Sequence, residues 1–240
     1  MMEMVSRALR AGALVVVTLG PLATGVSAAG IADLMAPLLA AREREAFGSV
    51  DGRAYAEAQR GGGEPTPYPA VSILLMPRSK EFDSELDGIK ASYRDSIDAL
   101  LEAEPKLRAA RVAFERALID AGGGQLLFGE SSSATGEFRI SRVPEGAWTL
   151  LAWREIPHSK TPTALKGADA RRYKGRPQVF GYVTVTFWRL PVDVKAGEVL
   201  AVRLHDRNEW LTAAREDRRI PDQNQPGTLS GQPPAPGSPR

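Results

Sequence analysis

The strongest constraint on the fold lies in residues 135–153, TGEFRISRVPEGAWTLLAW. Two runs in which apolar and polar residues alternate flank Pro144-Glu145-Gly146. A period of two is typical of a half-buried strand, because successive side chains point to opposite faces of a sheet. Proline tends to end a strand because it lacks an N–H, and glycine allows a tight reversal. The stretch therefore predicts two core strands joined as a hairpin at Pro-Glu-Gly.

Other short apolar or alternating runs predict the remaining strands. They lie at 48–58, 70–77, 124–130, 178–194 and 198–206. Short connections separate most of them, which favours antiparallel pairing without crossover helices. The count predicts a mainly β protein, an antiparallel sandwich of seven short strands.

One segment breaks the β pattern. Residues 84–121 have apolar side chains three and four positions apart, as on one face of a helix. Ser84 with Asp87 is similar to a capping box. Pro105 suits the first turn of a second helix, or else it kinks one long helix. The segment is predicted to be a helical insertion, either packed on its own domain or exposed as a surface for a protein partner or a second copy.

The N-terminus has the pattern of a signal peptide over residues 1–29. Arg7 and Arg10 precede an uncharged, largely apolar stretch at 11–26, and small residues follow at 27–29. The alternative is an uncleaved membrane anchor, since the uncharged run from 11 to 31 is about long enough to span a bilayer. The pattern predicts a periplasmic or secreted protein, with membrane contact only if the segment is uncleaved.

The remaining boundaries follow from composition. Residues 30–47 are interpreted as a linker or short helix, and 48–211 as the sandwich with its insertion at 84–121. Residues 210–219, WLTAAREDRR, are interpreted as a short helix at the boundary. The segment 212–240 is assigned to a disordered tail, because its end is rich in Pro, Gly, Gln and Ser and has almost no large apolar residues to bury.

The spacing around Pro-Glu-Gly has a family resemblance. The pattern is Gly136-x-Phe138-x-Ile140-x-x-Val143-Pro144-x-Gly146-x-Trp148-x-Leu150. It resembles the signature of carboxypeptidase regulatory-like domains, which are transthyretin-like β-sandwiches. Residues 49–55 and 70–75 resemble the first and second strands of that family. The resemblance implies a sandwich fold over about 48–153 and implies little about activity, because this fold hosts many functions.

Few residues suggest catalysis. The chain of 240 residues has no cysteine and two histidines, His158 in a predicted loop and His205 at a strand end. Neither histidine has the second histidine that a zinc site needs nearby. Nucleophile-elbow and phosphate-loop motifs are absent from the sequence. We predict a non-catalytic protein with no catalytic residue, metal site or cofactor. The net charge of +2 gives no reason to expect a nucleic-acid partner.

Two sets of residues are candidates for binding. The first is a basic patch in a predicted loop, formed by Lys166, Arg171, Arg172, Lys174 and Arg176. It suits an anionic glycan, lipid headgroups or an acidic protein surface, or it is simply a solvated loop. The second set is Trp153, Trp188 and Tyr182. Alternation assigns both tryptophans to the face opposite Trp148, where they would stack on a sugar or be covered by the helical insertion.

Two functions are therefore expected. The first is an exported, non-catalytic module for protein–protein interaction or envelope structure, acting through the helical insertion. The alternative is a carbohydrate-binding or small-ligand-binding module that uses the exposed aromatic residues.

Overall fold

A computed structural model describes residues 28–58, 62–160 and 177–219. The helices are α1 (Ala28–Glu43), α2 (Lys80–Ser92) and α3 (Ile97–Asp120). The strands are β1 (Phe47–Ala56), β2 (Thr66–Pro67), β3 (Ser72–Pro77), β4 (Phe128–Ser131), β5 (Glu137–Pro144), β6 (Gly146–Ser159), β7 (Gln178–Val194), β8 (Val199–His205) and β9 (Leu211–Arg219). Within these ranges, no helix is long and apolar enough to cross a membrane.

The strands form two sheets. In sheet A, β1 pairs antiparallel with β5 and β2, and parallel with β8. Sheet B has the order β4-β3-β6-β7-β9, with every neighbouring pair antiparallel. The prediction of a mainly β, largely antiparallel protein with a helical insertion is confirmed. The described residues contain nine strands where seven were predicted, and the β1–β8 pair is parallel.

One hydrophobic core joins the two sheets. Trp148, Leu150 and Trp188 of sheet B are fully buried, as are Val50 and Leu204 of sheet A. The indole N–H of Trp188 reaches across and donates to the carbonyl oxygen of His205, at 2.9 Å. One face of sheet B therefore packs towards sheet A.

The helical pair covers the other face of sheet B. Phe82 of α2 stacks on Phe114 of α3 with ring centres 4.5 Å apart, and both side chains are buried. From the sheet, Arg189 donates to the carboxylate of Asp87 on α2 at 2.6 Å. The helices therefore form a layer over the sheet, with their apolar face turned inward.

The helix boundaries differ from those predicted. Ser79, rather than Ser84, caps α2 by accepting a hydrogen bond from the Phe82 N–H, and Ser96 caps α3 in the same way. The break between the helices lies at 93–96, and Pro105 lies inside α3. The caps satisfy N–H groups at each helix start and so determine where the helices begin.

The Pro-Glu-Gly segment connects the two sheets and is not a hairpin. β5 pairs with β1 in sheet A, whereas β6 pairs with β3 and β7 in sheet B. The indole N–H of Trp148 donates to the carbonyl oxygen of Pro144 at 3.0 Å and fastens this connection. The hairpin prediction was wrong because alternation identifies strands without identifying their partners.

Two other boundaries are corrected. Residues 211–219 form β9, paired with β7, so the predicted helix at 210–219 and the start of the disordered tail at 212 were wrong. Leu211 and Ala213 are buried, which gives this charged segment an apolar side to pack. The linker or short helix expected at 30–47 is the helix α1, whose Ile31 and Leu38 are buried in the core.

Candidate functional site

Sheet B has a three-stranded extension, and one face of it leaves Tyr182, Thr212 and Glu216 exposed. Beyond Trp153, β6 has no partner in β3 and continues beside β7, which pairs in turn with β9. One face of this extension has three rows of register partners: Arg154–Thr186–Thr212, Ile156–Thr184–Ala214 and His158–Tyr182–Glu216. We call these nine residues the platform. Tyr182, Thr184 and Thr186 precede Trp188 on β7 by even numbers of residues, so they lie on the same face of sheet B as Trp188. Their register partners on β6 and β9 share that face.

An aromatic pair forms the outer row of the platform. The rings of His158 and Tyr182 are stacked, with centres 4.5 Å apart and planes 17° from parallel. Nε2 of His158 lies 3.1 Å from the hydroxyl oxygen of Thr184, which fixes the imidazole. Tyr182 is 49% exposed. The stack on His158 therefore fixes the position of the Tyr182 ring, which remains partly exposed to solvent.

A second aromatic group lies at the inner end. The guanidinium of Arg154 lies 4.1 Å from the centre of the Tyr68 ring, which itself packs near Trp188. Arg154 and His158 are four residues apart on β6, which corresponds to about 13 Å at about 3.3 Å per residue. The two aromatic groups therefore bracket a surface long enough for more than one sugar ring.

Hydrogen-bonding groups lie between and beside the aromatic groups. The Thr212 hydroxyl donates to the carboxylate of Glu209 at 3.3 Å and lies 3.5 Å from the Thr186 hydroxyl. Burial raises the pKa of the Glu209 carboxyl, and the charge of Asp206 acts in the same direction. Burial likewise raises the pKa of the Tyr68 hydroxyl. Partly buried polar groups of this kind have lost contacts with water, so a ligand that supplies hydrogen-bond partners to them binds more favourably.

Trp153 lies on the other face of sheet B, in a cleft beneath α3. The guanidinium of Arg111 lies 4.5 Å from the centre of its ring. The cleft has a volume of about 100 Å³ and is also lined by Leu107 and Phe187. That is well below the roughly 300–1,000 Å³ of small-molecule sites. The tryptophan is covered by the helical insertion and offers no stacking surface.

Charged groups of the protein itself occupy the polar side of this cleft. Glu104 is buried and accepts a hydrogen bond from Nε of Arg108 at 2.9 Å. Arg215 of β9 pairs with Glu155 of β6, and its Nε lies 3.8 Å from a carboxylate oxygen of Glu104. These pairs connect α3 to the sheet.

Trp188 is not a surface residue. It is fully buried between the sheets, on the face of Trp148 rather than that of Trp153. The register explains the error, since Trp153 lies opposite Phe187 and Ala152 lies opposite Trp188. Of the three aromatic residues predicted for ligand binding, the structure leaves Tyr182 exposed and adds His158, Arg154 and Tyr68, which the sequence analysis did not propose.

Both histidines have defined local contacts. Nδ1 of His205 accepts a hydrogen bond from the backbone N–H of Arg207 at 3.3 Å, and His158 is held in the platform. In the part of the chain that the structure describes, no three His, Asp or Glu side chains are grouped to hold a metal ion. The predicted basic patch, Lys166, Arg171, Arg172, Lys174 and Arg176, lies outside the described residues.

Solved structures that resemble this chain include two whose sequence identity to it is low. A candidate carbohydrate-binding protein from Pseudomonas aeruginosa is 10% identical with a TM-score of 0.36, over 67% of this chain and 88% of the other. The pilus backbone protein of Streptococcus pneumoniae is 11% identical with a TM-score of 0.23, over 65% of this chain and 40% of that protein. Both TM-scores are too low to show a shared fold. No protein-family model and no curated protein matches the chain.

Proposed function

We propose that this chain is an exported, non-catalytic binding module and that the platform binds carbohydrate. The observation that supports this most is the held, exposed stack of Tyr182 on His158, on a sheet face lined with hydroxyl groups. A sugar ring presents an apolar C–H face, which packs on an aromatic ring, and hydroxyl groups at its edge, which need donors and acceptors. The platform offers both.

The polar groups of the platform suit a neutral or weakly charged sugar. Arg154 supplies donors, Glu209 lies beside it as an acceptor, and the threonine hydroxyls can do either. Arg154 and Glu209 carry opposite charges, and Glu216 of the outer row pairs with Arg218 at 2.6 Å, so the surface does not require a strongly anionic ligand. We therefore assign a short neutral oligosaccharide as the preferred class.

We also propose membership of the carboxypeptidase regulatory-like family. Two stretches with the family pattern are direct neighbours, since Gly52 of β1 lies opposite Phe138 of β5. A Cβ at Gly52 would overlap the Phe138 ring, which accounts for the glycine. In this proposal, the two sheets form a transthyretin-like sandwich, and the helical pair is an addition that covers one face.

Export is part of the proposal. The basic and apolar pattern of residues 1–29 supports it. Cleavage after Ala28 or Ala29 would leave α1 nearly whole and would keep Ile31, which is buried in the core. The core would therefore form from the processed chain.

Protein interaction through the helical insertion is the second candidate. The inward packing of the helices uses most of their apolar residues, which weakens this hypothesis. One observation still favours it: Ile97, Val112 and Ile119 of α3 are 76%, 48% and 56% exposed. Their spacing places them on one side of the helix. Light scattering on the pair of substitutions Val112→Ser and Ile119→Ser tests it, because an assembly through α3 should dissociate.

Replacing Tyr182 tests the carbohydrate proposal. Wild-type protein is first screened against an array of short oligosaccharides, and the best ligand is titrated by calorimetry. Tyr182→Ala should weaken its binding at least about tenfold, or about 1.4 kcal/mol, because the exposed ring is lost. Tyr182→Phe should bind nearly as well as wild type, because the stack on His158 remains.

A matched control separates binding from folding. Tyr93→Ala removes a partly buried tyrosine directly after α2, in the helical layer that covers the face of sheet B opposite the platform. It should leave the affinity for the oligosaccharide unchanged, and all three variants should keep the circular dichroism spectrum of the wild type. Equal affinity of Tyr182→Ala and wild type, or a wild type that binds no oligosaccharide on the array, would contradict the proposed function.

A further inference from the structure

The outer face of sheet A has a shallow depression that no part of the proposed function uses. It has a volume of about 590 Å³ and lies between β1, β5 and β8. Its lining includes Asp51, Arg53, Arg139 and Arg203. The volume falls within the roughly 300–1,000 Å³ of ligand sites. The depression is open, so the charges on its floor decide what it can hold.

Two arginines lie side by side on that floor. Arg53 of β1 and Arg203 of β8 are register partners in the parallel pair. Both are exposed, whereas their neighbours Ala54, Val202 and Leu204 are buried on the inner face. Adjacent strands lie only about 4.8 Å apart. Two like charges directly opposite each other destabilise a sheet, and Glu137 on the other side of Arg53 offsets only part of this repulsion.

The nearby acids of the described chain are engaged elsewhere. Asp51 pairs with both Nε and Nη2 of Arg139, and this pair lowers the pKa of the Asp51 carboxyl. Glu57 pairs with Arg207 at 2.6 Å. Glu137 is the register partner of Arg53 but accepts a hydrogen bond from the Thr135 hydroxyl at 3.3 Å instead. Within the described residues, Arg53 and Arg203 therefore form no ion pair.

Small side chains leave room beside the two arginines. Ala201 is the outward neighbour of Arg203 on β8 and the register partner of Asp51. On the other side, the Arg53 guanidinium lies 5.9 Å from the centre of the Tyr55 ring, which keeps it on this face. A ligand atom above Ala201 would lie beside Arg203 on the same strand and diagonal to Arg53 on β1, while the carboxylate of Asp51 next to it is paired with Arg139.

We propose that Arg53 and Arg203 form a binding site for a tetrahedral oxyanion, a phosphate or sulfate group. A guanidinium group presents a planar fork of N–H donors, and a tetrahedral oxyanion has enough acceptor oxygens to take hydrogen bonds from two such forks. The five charged side chains in and beside the depression, Asp51, Arg53, Glu137, Arg139 and Arg203, sum to +1. A bound oxyanion removes the repulsion between the two arginines and reverses that charge.

The test is calorimetric titration of the full chain with sodium phosphate, at an ionic strength held constant with sodium chloride so that general screening does not change. Wild type should show saturable binding. Arg53→Gln and Arg203→Gln should each weaken it at least tenfold. Arg116→Gln, which removes an exposed arginine on α3, should bind as wild type does. A second titration with ethyl phosphate, an ester without a sugar ring for the platform to bind, identifies the source: tighter binding than phosphate indicates an ester group on a larger ligand, and equal binding indicates the free ion.

A thermal measurement distinguishes a binding site from a structural role. Without phosphate, Arg203→Gln should unfold at the wild-type temperature or above, since the repulsion is gone. Added phosphate should raise the unfolding temperature of wild type and of Arg116→Gln, but not that of Arg53→Gln or Arg203→Gln. The proposal would be overturned if phosphate gave no saturable heat with wild type. It would also be overturned if Arg53→Gln and Arg203→Gln both bound phosphate with the wild-type affinity. A lower unfolding temperature of Arg203→Gln in phosphate-free buffer would overturn it as well.

Discussion

Replacing Phe114 by alanine should lower the free energy of unfolding by about 3–5 kcal/mol. Its side chain is 3% exposed and stacks on Phe82 between the two helices, above the outer face of sheet B. Removing the ring leaves a cavity that α2 and α3 cannot fully close, because ion pairs from Asp87 of α2 and Glu104 of α3 tie both helices to the sheet. Urea unfolding followed by circular dichroism measures the loss.

Val112→Ala is the matched control on the same helix. Val112 is 48% exposed, so its truncation should change the free energy of unfolding by no more than about 0.5 kcal/mol. A Phe114→Ala variant as stable as Val112→Ala would mean that the helical pair is a separable arm. The hypothesis that the insertion is a docking surface would then regain its support.

The second large effect is expected at Gly136. This residue has a φ of +79°, a conformation that side chains with a Cβ rarely adopt, and a Cβ there would overlap the backbone carbonyl oxygen of Ala54. The Ala54 N–H also donates to the Gly136 carbonyl at 2.8 Å, so the two backbones cannot move apart without losing a hydrogen bond. Strain and overlap together should make Gly136→Ala less stable by about 2–5 kcal/mol in thermal unfolding.

Gly129→Ala separates this site-specific effect from the general effect of replacing a glycine. Gly129 lies in β4, and its Cβ would have no atom within 4 Å. We expect its stability to lie within about 0.5 kcal/mol of wild type. If Gly136→Ala and Gly129→Ala were equally stable, the close approach of β1 to the start of β5 would be wrong. The resemblance that begins at Gly136 would also lose its physical basis.

Periodicity in the sequence was sufficient to find most elements of the fold. The strands at 48–58, 70–77 and 178–194 and the helical pair follow from spacings of two and of three to four. Periodicity could not show that β5 and β6 belong to different sheets, because the Pro-Glu-Gly segment reads the same in a hairpin and in a connection between sheets. β9 was missed for a related reason: its charged residues face solvent or pair with neighbouring strands, and only Leu211 and Ala213 mark a buried side.

The candidate site was harder to predict than the fold. Alternation places Trp188 and Phe187 on opposite faces of the sheet. It does not show which face is exposed, because helices cover one face of sheet B and sheet A covers part of the other. Tyr182 was proposed only as an aromatic companion of the two tryptophans. His158 and Arg154 lie on the same face as Tyr182 because of the register between β6 and β7, and no local sequence pattern predicts that register. The alternation of Arg154, Ile156 and His158 could have indicated that the strand continues to 158. It was not used because His158 was assigned to a loop.

The central claim is that the platform binds carbohydrate, and the most direct test is a titration of ¹⁵N-labelled protein followed by backbone amide shifts. The ligand is the oligosaccharide that binds best on the array. We expect saturable shifts concentrated in 154–158, 182–186 and 209–216, with the amides of α3 and of the outer face of sheet A unchanged. Shifts concentrated elsewhere at saturation, or no saturable shift at all, would contradict the account.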